Sequence, residues 1–323
     1  MDNYPGVTIL GGRLLVPYVP LATFPDGLSE AQVEIDMLEQ QFSLSGLLAY
    51  CKVRLDTQRE SDRAAGKPVP FNGFKARVAN YSVDDGDQLK LRLMVQNTKF
   101  YDYLASNKVL DTPLEELGNR MPREFYDLEP LGMDDVLANC AGVNGAFLTT
   151  DDYMVIVHRS PKLEQYPNLL GVPAAFWDPL KDDGTPKDCN PFYTLRRDAA
   201  MEETGRKVVE AKLFELGRAL DDLHFEIGMI GRIDGSKSQV QSAPKVGEWE
   251  AKGRYLVPFN PRDCAPHLVK TITQTPPKVP EKFWINGRSP QWVPAHHRIV
   301  YLALANKYGQ DEVEKEMERA MNA

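Results

Sequence analysis

The strongest constraint on the fold is a pair of short apolar segments separated by a four-residue polar turn. Residues 143–148 (VNGAFL) and 153–158 (YMVIVH) contain the aliphatic and aromatic side chains that favour extended strands. Residues 149–152 (TTDD), which connect them, are polar and too few to form a helix. The pattern therefore predicts a tight antiparallel hairpin that enters a hydrophobic core.

The segments around this hairpin alternate between strand and helix patterns, which indicates an α/β protein. A second hairpin is predicted upstream, with Asp84-Asp85-Gly86-Asp87 as its turn. Gly205 is placed to end a helix as a C-cap. The predicted strands cover residues 74–81, 88–95, 225–233 and 255–259, and the predicted helices cover residues 29–42, 195–205 and 295–321.

A length of 323 residues favours two domains. Residues 111–137 are acidic, irregular and interrupted by three prolines, so we place the boundary there. The predicted organisation is an N-terminal α+β extension over residues 1–135 and an α/β domain over residues 136–275. A linker beginning at Pro276 and a C-terminal helix that packs on this domain complete the chain, over residues 276–323.

Charge and hydropathy narrow the classes of partner. The formal net charge is -8 and no basic block occurs, which argues against nucleic acid because such binding requires neutralisation of many phosphates. Small phosphorylated ligands stay compatible, since they need only local positive charge. No run approaches the roughly 18 apolar residues of a membrane span, and the first five residues do not look like a signal peptide. We therefore expect a cytoplasmic protein without a membrane partner.

The most informative motif is the stretch 197–205 (RDAAMEETG), in which two adjacent glutamates precede Thr-Gly. Carboxylates spaced three or four residues apart share one face of an α-helix. Asp198 and Glu202 have this spacing, and Glu203 follows directly. Clustered carboxylates of this kind bind hard divalent cations against phosphate groups.

This stretch resembles the signature of the Nudix hydrolase superfamily, which ends in Arg-Glu-apolar-any-Glu-Glu-any-Gly. Residues 142–160 resemble the opening hairpin of that family, and residues 171–179 (GVPAAFWDP) resemble its Val-Pro-Gly-Gly-His-apolar-Asp-Pro turn. The resemblance covers residues 142–259. Residues 71–77 and 101–104 are similar to the N-terminal extension of the larger, sugar-nucleotide-cleaving members. The resemblance implies a Nudix-like α/β/α sandwich with an N-terminal α+β extension.

The sequence departs from the family pattern at two points. The Arg-Glu pair of the signature falls on Asp198 and Ala199, so one glutamate is replaced by alanine. The glycine pair of the preceding turn is replaced by Ala174 and Ala175. We interpret Asp198 as a substitute for the missing glutamate.

The resemblance implies a metal-dependent hydrolase of a nucleoside diphosphate linked to another moiety, such as a sugar nucleotide. Mg²⁺ or Mn²⁺ would be held by Glu202, Glu203 and Asp198. Family members often recruit a further acid from a later loop, so Glu250 completes the expected catalytic set. Glu248, which could complete the set in place of Glu250, and Glu226 are further candidates, and the favoured alternative for all three of these later glutamates is that they are ordinary surface acids.

Four residues are candidates for substrate contacts. Arg159 at the end of its strand could meet a phosphate, with a surface ion pair as the alternative. Aromatic rings could stack on a base, with core packing as the alternative, and the candidates are Phe176, Trp177 and Trp249.

Two other functions stay open from the sequence. Ala199 and the Ala174-Ala175 turn favour an inactive nucleotide- or protein-binding module, whereas Glu202 and Glu203 favour the enzyme. The fold could also serve another reaction on a related substrate. The expected partner is a small nucleotide-type molecule, and a homodimer is one open oligomeric state.

Two further expectations concern particular side chains. Adjacent histidines point to different faces of a helix, which makes His296 and His297 a poor metal-binding pair. The residues expected to be buried in the core are Val143, Phe147, Met154, Ile156, Leu195 and Met201.

Overall fold

A computed structural model of the protein describes residues 6–129, 132–179, 190–244, 251–272 and 289–323. The strands are β1 (Val7–Ile9), β2 (Leu14–Val16), β3 (Tyr18–Leu28), β4 (Val33–Met37), β5 (Phe74–Asp84), β6 (Lys90–Lys99), β7 (Ala141–Leu148), β8 (Tyr153–Arg159), β9 (Leu170–Gly171), β10 (Ala174–Phe176), β11 (Val208–Ala219), β12 (Phe225–Ile233), β13 (Ala251–Pro258), β14 (Thr271–Ile272) and β15 (Ser289–Pro290). The α-helices are α1 (Gly46–Ala64), α2 (Phe100–Ser106), α3 (Pro122–Phe125), α4 (Pro191–Thr194), α5 (Lys237–Ser242), α6 (Pro261–Leu268), α7 (Pro294–Tyr308) and α8 (Gln310–Asn322). A π-helix (Leu195–Glu202) follows α4 directly, and we call the two together the α4–π helix.

A mixed central sheet organises the fold, with strand order β13-β8-β7-β12-β11-β3. β7 and β8 are the predicted antiparallel hairpin, while β7 and β12 run parallel, with Gly142 opposite Glu226. The short strands β10 and β9 pair with β7 and β8 respectively. A separate three-stranded sheet, in the order β4-β6-β5, contains the second predicted hairpin.

The central sheet is covered on both faces, because alternate residues of β7 enter different clusters. Ala146 belongs to a hydrophobic cluster that also contains residues of α6, α7 and α8, including Ile299 of α7. Val143 belongs to a second cluster that contains Leu195 of the α4–π helix and Val78 of β5. Helices on both faces of one mixed sheet confirm the expected α/β/α sandwich.

The α4–π helix packs closely on the sheet because the contacting residues are small. A Cβ atom on Gly145 of β7 would lie 2.8 Å from Cδ1 of Leu195, and Ala199 and Ala200 are both buried. Met201, by contrast, is 38% exposed, so the expectation that it is buried was wrong. The two alanines face the sheet in its place, whereas the other five residues expected in the core are buried.

Two predicted helices differ in the structure. Residues 29–42 contain only a short 3₁₀ turn (Glu30–Gln32) before β4, which pairs in parallel with β6. Long-range strand pairing here outweighs the local helical pattern. The predicted C-terminal helix is divided into α7 and α8 at Gly309, whose φ of 84° does not fit a helix.

The predicted division at residue 135 stays a prediction, but one strand crosses it. β3 pairs with β11, so residues 18–28 lie in the same sheet as the later strands. The predicted linker at residues 276–280 is outside the described residues. No helix in the described part of the chain is both long and apolar enough to cross a membrane.

We expect Gly309→Ala to lower the free energy of unfolding by about 1–3 kcal/mol, because φ of 84° with ψ of 146° strains any residue that has a Cβ atom. Gly253→Ala is the matched control, since Gly253 has open space around its Cα and no positive φ. Urea unfolding of both variants measures the difference. Equal stability of the two variants would contradict the proposed role of Gly309 in separating α7 from α8.

Candidate functional site

The three acids predicted to bind metal lie along the second half of the α4–π helix. The carboxylate of Asp198 is engaged by Arg197, whose Nε donates to Oδ1 and whose Nη2 donates to Oδ2 at 2.6 Å. Both carboxylate oxygens therefore already accept from a cation. This pairing makes Asp198 a weaker candidate for a metal ligand or a base than the sequence suggested.

The π-helical geometry also changes which side chains share a face. The expectation that Asp198 and Glu202 lie together assumed 3.6 residues per turn, whereas a π-helix has i→i+5 hydrogen bonds and a wider turn. Ala199 occupies the position of the missing family glutamate and is 0% exposed. Its side chain packs in the core, so the position does not face a ligand.

Glu202 and Glu203 lie at the end of the helix, and both are partly buried. Glu203 is close enough to Arg254 of β13 to act on its charge. Burial lowers the pKa of the Arg254 guanidinium, while the Glu203 carboxylate opposes this shift. Arg254 itself donates to the carbonyl oxygens of Val240 and Ala243, at 3.1 and 2.7 Å. The helix end thus brings a carboxylate within electrostatic reach of an oriented cation.

A complete metal-ligand set is not present among the described residues, which contain no group of three or more His, Cys, Asp and Glu side chains able to hold a metal ion. Glu202 and Glu203 supply two carboxylates, and Asp198 is paired with Arg197. Glu248, Trp249 and Glu250 lie outside the described residues. The predicted metal site therefore stays a prediction.

The other predicted substrate contacts fall into two groups. Trp177 is 0% exposed and belongs to the core cluster of the α4–π helix, which fits the alternative of core packing. Phe176 is partly exposed and packs edge-on against Phe100 and Tyr103, with ring centroids 5.7 and 5.3 Å away. The guanidinium of Arg159 donates to the backbone carbonyls of residues 165 and 166, so it braces a loop.

A buried charged cluster on the other face of the sheet was not predicted. His224 lies between two carboxylates at the beginning of β12: its Nδ1 donates to Asp222 and its Nε2 donates to Glu226 at 2.7 Å. All three side chains are almost fully buried, so the interpretation of Glu226 as a surface acid was wrong. The sequence did contain a signal for this cluster. Asp222, His224 and Glu226 are two residues apart at the beginning of an apolar strand, and this spacing puts their side chains on one face of the sheet.

This cluster joins three distant segments of the chain. Tyr103 of α2 donates to Asp222 at 2.6 Å, and Lys108 donates to the same carboxylate. From another loop, Tyr166 donates to the neighbouring Asp221 at 2.7 Å. The N-terminal segment, the loop after β8 and the β11–β12 turn are therefore held together by buried polar contacts.

Mutual compensation sets the charges in the cluster. Burial by itself lowers the pKa of His224, but the Asp222 and Glu226 carboxylates outweigh it and raise the pKa to about 10. Burial raises the pKa of Asp222, yet His224 and Lys108 hold it well below its usual range. His224 is thus an imidazolium at neutral pH. A proton so firmly held is suited to fixing structure and poorly suited to general acid–base catalysis near pH 7.

Two glycines provide space for Glu226 of this cluster and for the nearby buried side chain of His296. A Cβ atom on Gly142 would lie 2.6 Å from Oε2 of Glu226, and one on Gly171 would lie 2.5 Å from Nδ1 of His296. His296 accepts from the backbone N–H of Val172 at 3.2 Å, and burial lowers its pKa to about 3. His297 instead contacts the carbonyl oxygen of residue 268 at 3.0 Å, so the adjacent histidines face different groups.

Comparisons with known proteins add little to this geometry. No family model matches the chain, and no curated protein matches it. One similar solved structure is DR0079 from Deinococcus radiodurans, with 17% identity over 39% of this chain and 70% of that one, and a TM-score of 0.27. Another is the MutT protein from Methanosarcina mazei Go1, with 14% identity over 37% of this chain and 77% of that one, and a TM-score of 0.24. TM-scores this low do not establish a common fold or activity.

We expect His224→Gln to lower the free energy of unfolding by about 3–5 kcal/mol, because it leaves the buried Glu226 carboxylate without its cation and Asp222 with Lys108 alone. The raised pKa of His224 also predicts a pH dependence. Protonated His224 contributes fully to the free energy of unfolding below pH 6.5, which is the pKa of histidine in the unfolded chain. This contribution is lost as the pH rises towards 10. Wild-type stability should therefore fall between pH 6.5 and 10, and the variant should lack this component.

Urea unfolding at several pH values measures both effects. The matched control is His158→Gln, because burial lowers the pKa of His158 where that of His224 is raised. If His158→Gln and His224→Gln gave the same pH profile, the charge assigned to His224 would be incorrect.

We expect Ala199→Glu, which restores the family residue, to destabilise the protein by about 3 kcal/mol or more without creating activity. The new carboxylate would be buried in an apolar cluster. Met201→Glu on the exposed side of the same helix is the control and should change stability by less than about 0.5 kcal/mol. Thermal melting compares the two, and a gain of magnesium-dependent hydrolysis in Ala199→Glu would refute this assignment of position 199.

Proposed function

We propose that the protein hydrolyses a nucleoside diphosphate linked to a second group, at the end of the α4–π helix. The observation that carries the proposal is the electrostatic interaction between Glu203 and Arg254, with Glu202 adjacent in sequence. Carboxylates and a cation at one helix end are the groups that a site for a phosphate anhydride needs. The resemblance of residues 197–205 to the Nudix signature supports the same assignment.

The residues of the chain have distinct roles in this proposal. Arg254 is held by the carbonyl groups of Val240 and Ala243, so its guanidinium is oriented before a ligand arrives, which reduces the entropy cost of binding an anion. Glu202 and Glu203 are the proposed ligands of Mg²⁺ or Mn²⁺, a cation that would offset negative charge on the phosphates. Asp198 orients Arg197 and has a lesser part in the reaction.

A second candidate function is a nucleotide-binding module without hydrolytic activity. The burial of Ala199 and the pairing of Asp198 with Arg197 favour it, because neither position then supplies a carboxylate to a metal ion. Both candidate functions predict nucleotide binding, but only the hydrolase predicts turnover. Kinetic and binding measurements on the same variants therefore distinguish them.

We expect Glu202→Gln and Glu203→Gln to lower kcat/KM by about 100-fold or more, because removing a carboxylate from the reacting centre acts mainly on the transition state. Asp198→Asn should cost less than about tenfold, since its carboxylate is already bound by Arg197. Glu210→Gln, an exposed glutamate on β11, is the control and should leave kcat/KM unchanged.

The assay uses a panel of sugar nucleotides and dinucleotides with Mg²⁺ or Mn²⁺, and calorimetry measures nucleotide affinity for each variant. If wild-type protein binds nucleotides but hydrolyses no member of the panel, the binding module is the correct function and the hydrolase is not. A larger loss in Asp198→Asn than in either glutamate variant would move the reaction centre to Asp198.

A further inference from the structure

An open groove of about 430 Å³ runs along β13, between α5 and α6. This volume is in the range of sites that bind small organic ligands. Lys237, Arg254, Tyr255 and His267 are among its lining residues, and Asp263 is the one acid among those that line it. The Asp263 carboxylate accepts a hydrogen bond from the side-chain amide of Asn260 at 2.7 Å, so one of its oxygens already has a partner.

Two cations and one acid line this groove, although the whole chain carries a net charge of -8. Lys237 and Arg254 line it directly. Lys252 and Lys270 lie close enough to add to the effect of burial in lowering the pKa of His158, beside the groove. Lys237 and Arg254 are the two cations that an anion in the groove would meet, because attraction depends on nearby charge within about one Debye length.

Aromatic rings form one side of the same groove. The ring of Tyr255 stacks on His158 with a centroid distance of 6.4 Å, and it lies 6.5 Å from the ring of His267. Tyr255 is nevertheless 45% exposed. An exposed aromatic ring with neighbouring rings to fix its orientation is a surface on which a planar base stacks.

Arg254 and the ring of Tyr255 reach the groove from opposite faces of β13. Arg254 and Tyr255 are consecutive in this strand, so their side chains point to opposite sides. β13 is also the last strand in the described sheet order and pairs with β8. A ligand that contacts both sets of residues therefore has an anionic part and a planar part and lies across the outer edge of the strand.

We propose that this groove binds a nucleoside diphosphate, with its phosphates at Lys237 and Arg254 and its base stacked on Tyr255. The proposal rests on the proposed function for the class of ligand, and Arg254 connects the groove to Glu203. Binding in the groove requires no hydrolysis, because none of the interactions that define it involves a metal ion or Glu202.

Calorimetry with ADP and UDP in the presence of EDTA tests the groove separately from any metal site. We expect Lys237→Gln to weaken both nucleotides by about five- to tenfold through loss of a charged contact. Tyr255→Ala should weaken both by about tenfold, and Tyr255→Phe by less than about twofold because the ring is retained. The affinity for inorganic pyrophosphate should be lowered by Lys237→Gln and unaffected by Tyr255→Ala, because pyrophosphate has no base to stack.

The controls are Lys315→Gln on α8 and Tyr50→Ala on α1, exposed residues of the same types that do not line the groove. Thermal melting of every variant establishes that the fold is retained. The proposal that the groove binds a nucleoside diphosphate is overturned if wild-type protein binds no nucleotide. It is also overturned if Lys237→Gln and Tyr255→Ala both leave the affinities for ADP and UDP unchanged. If the variants change binding as expected but no turnover occurs with Mg²⁺, the proposed nucleotide site in the groove is supported and only the proposed hydrolase activity is contradicted.

Discussion

The buried imidazolium of His224 is the interaction on which much of this structure depends. It compensates two carboxylates, Asp222 and Glu226, at a place where water does not reach them. A buried charge is tolerated only when it is paired and hydrogen-bonded, and removing one partner leaves the other uncompensated. The cluster therefore requires that α2, the loop after β8 and the β11–β12 turn all be in place together, which makes these distant segments cooperative.

The local packing around this cluster follows from the same requirement. Glu226 lies opposite Gly142 in the parallel β7–β12 pair, and the absence of a side chain there leaves space for its carboxylate. Asn144, on the same face of β7, donates to Glu226 at 2.9 Å. The glycine and asparagine in the first half of β7 are thus explained by a partner about 80 residues later in the chain.

Local patterns in the sequence predicted some of the parts of the fold that are stabilised locally, although the helix α1 was not predicted. The β7–β8 hairpin and β12 were predicted because apolar strands joined by turn residues need no distant partner to be identified. β4 was predicted as a helix because the β6 strand that pairs with it is about 60 residues away. The burial of Glu226 was missed for the same reason, since its compensating contacts come from several separate segments.

The α4–π helix shows a different limit of prediction. The Glu202-Glu203 pair was correctly placed at a helix end, but the side chains on the face of that helix depend on the type of turn. A change from 3.6 residues per turn to a wider turn, and the close approach permitted by Gly145, put Ala199 and Ala200 against the sheet and Met201 outside. A motif fixes the order of residue types, whereas the helix geometry determines which of them face a ligand.

The two charged regions of the protein lie at opposite ends of β12 and on opposite faces of the sheet. At the beginning of β12 the charges are compensated by one another and buried, so their proton positions are fixed near neutral pH. Beyond its end, the α4–π helix ends near α5, where a Cβ atom on Gly205 would lie 2.9 Å from Cβ of Ala243. There Glu203 and Arg254 are only partly buried, and Arg254 lines an open groove. Charges that remain accessible can exchange their partners for a ligand, and we infer that chemistry belongs to this second region because the first has no accessible charge to offer.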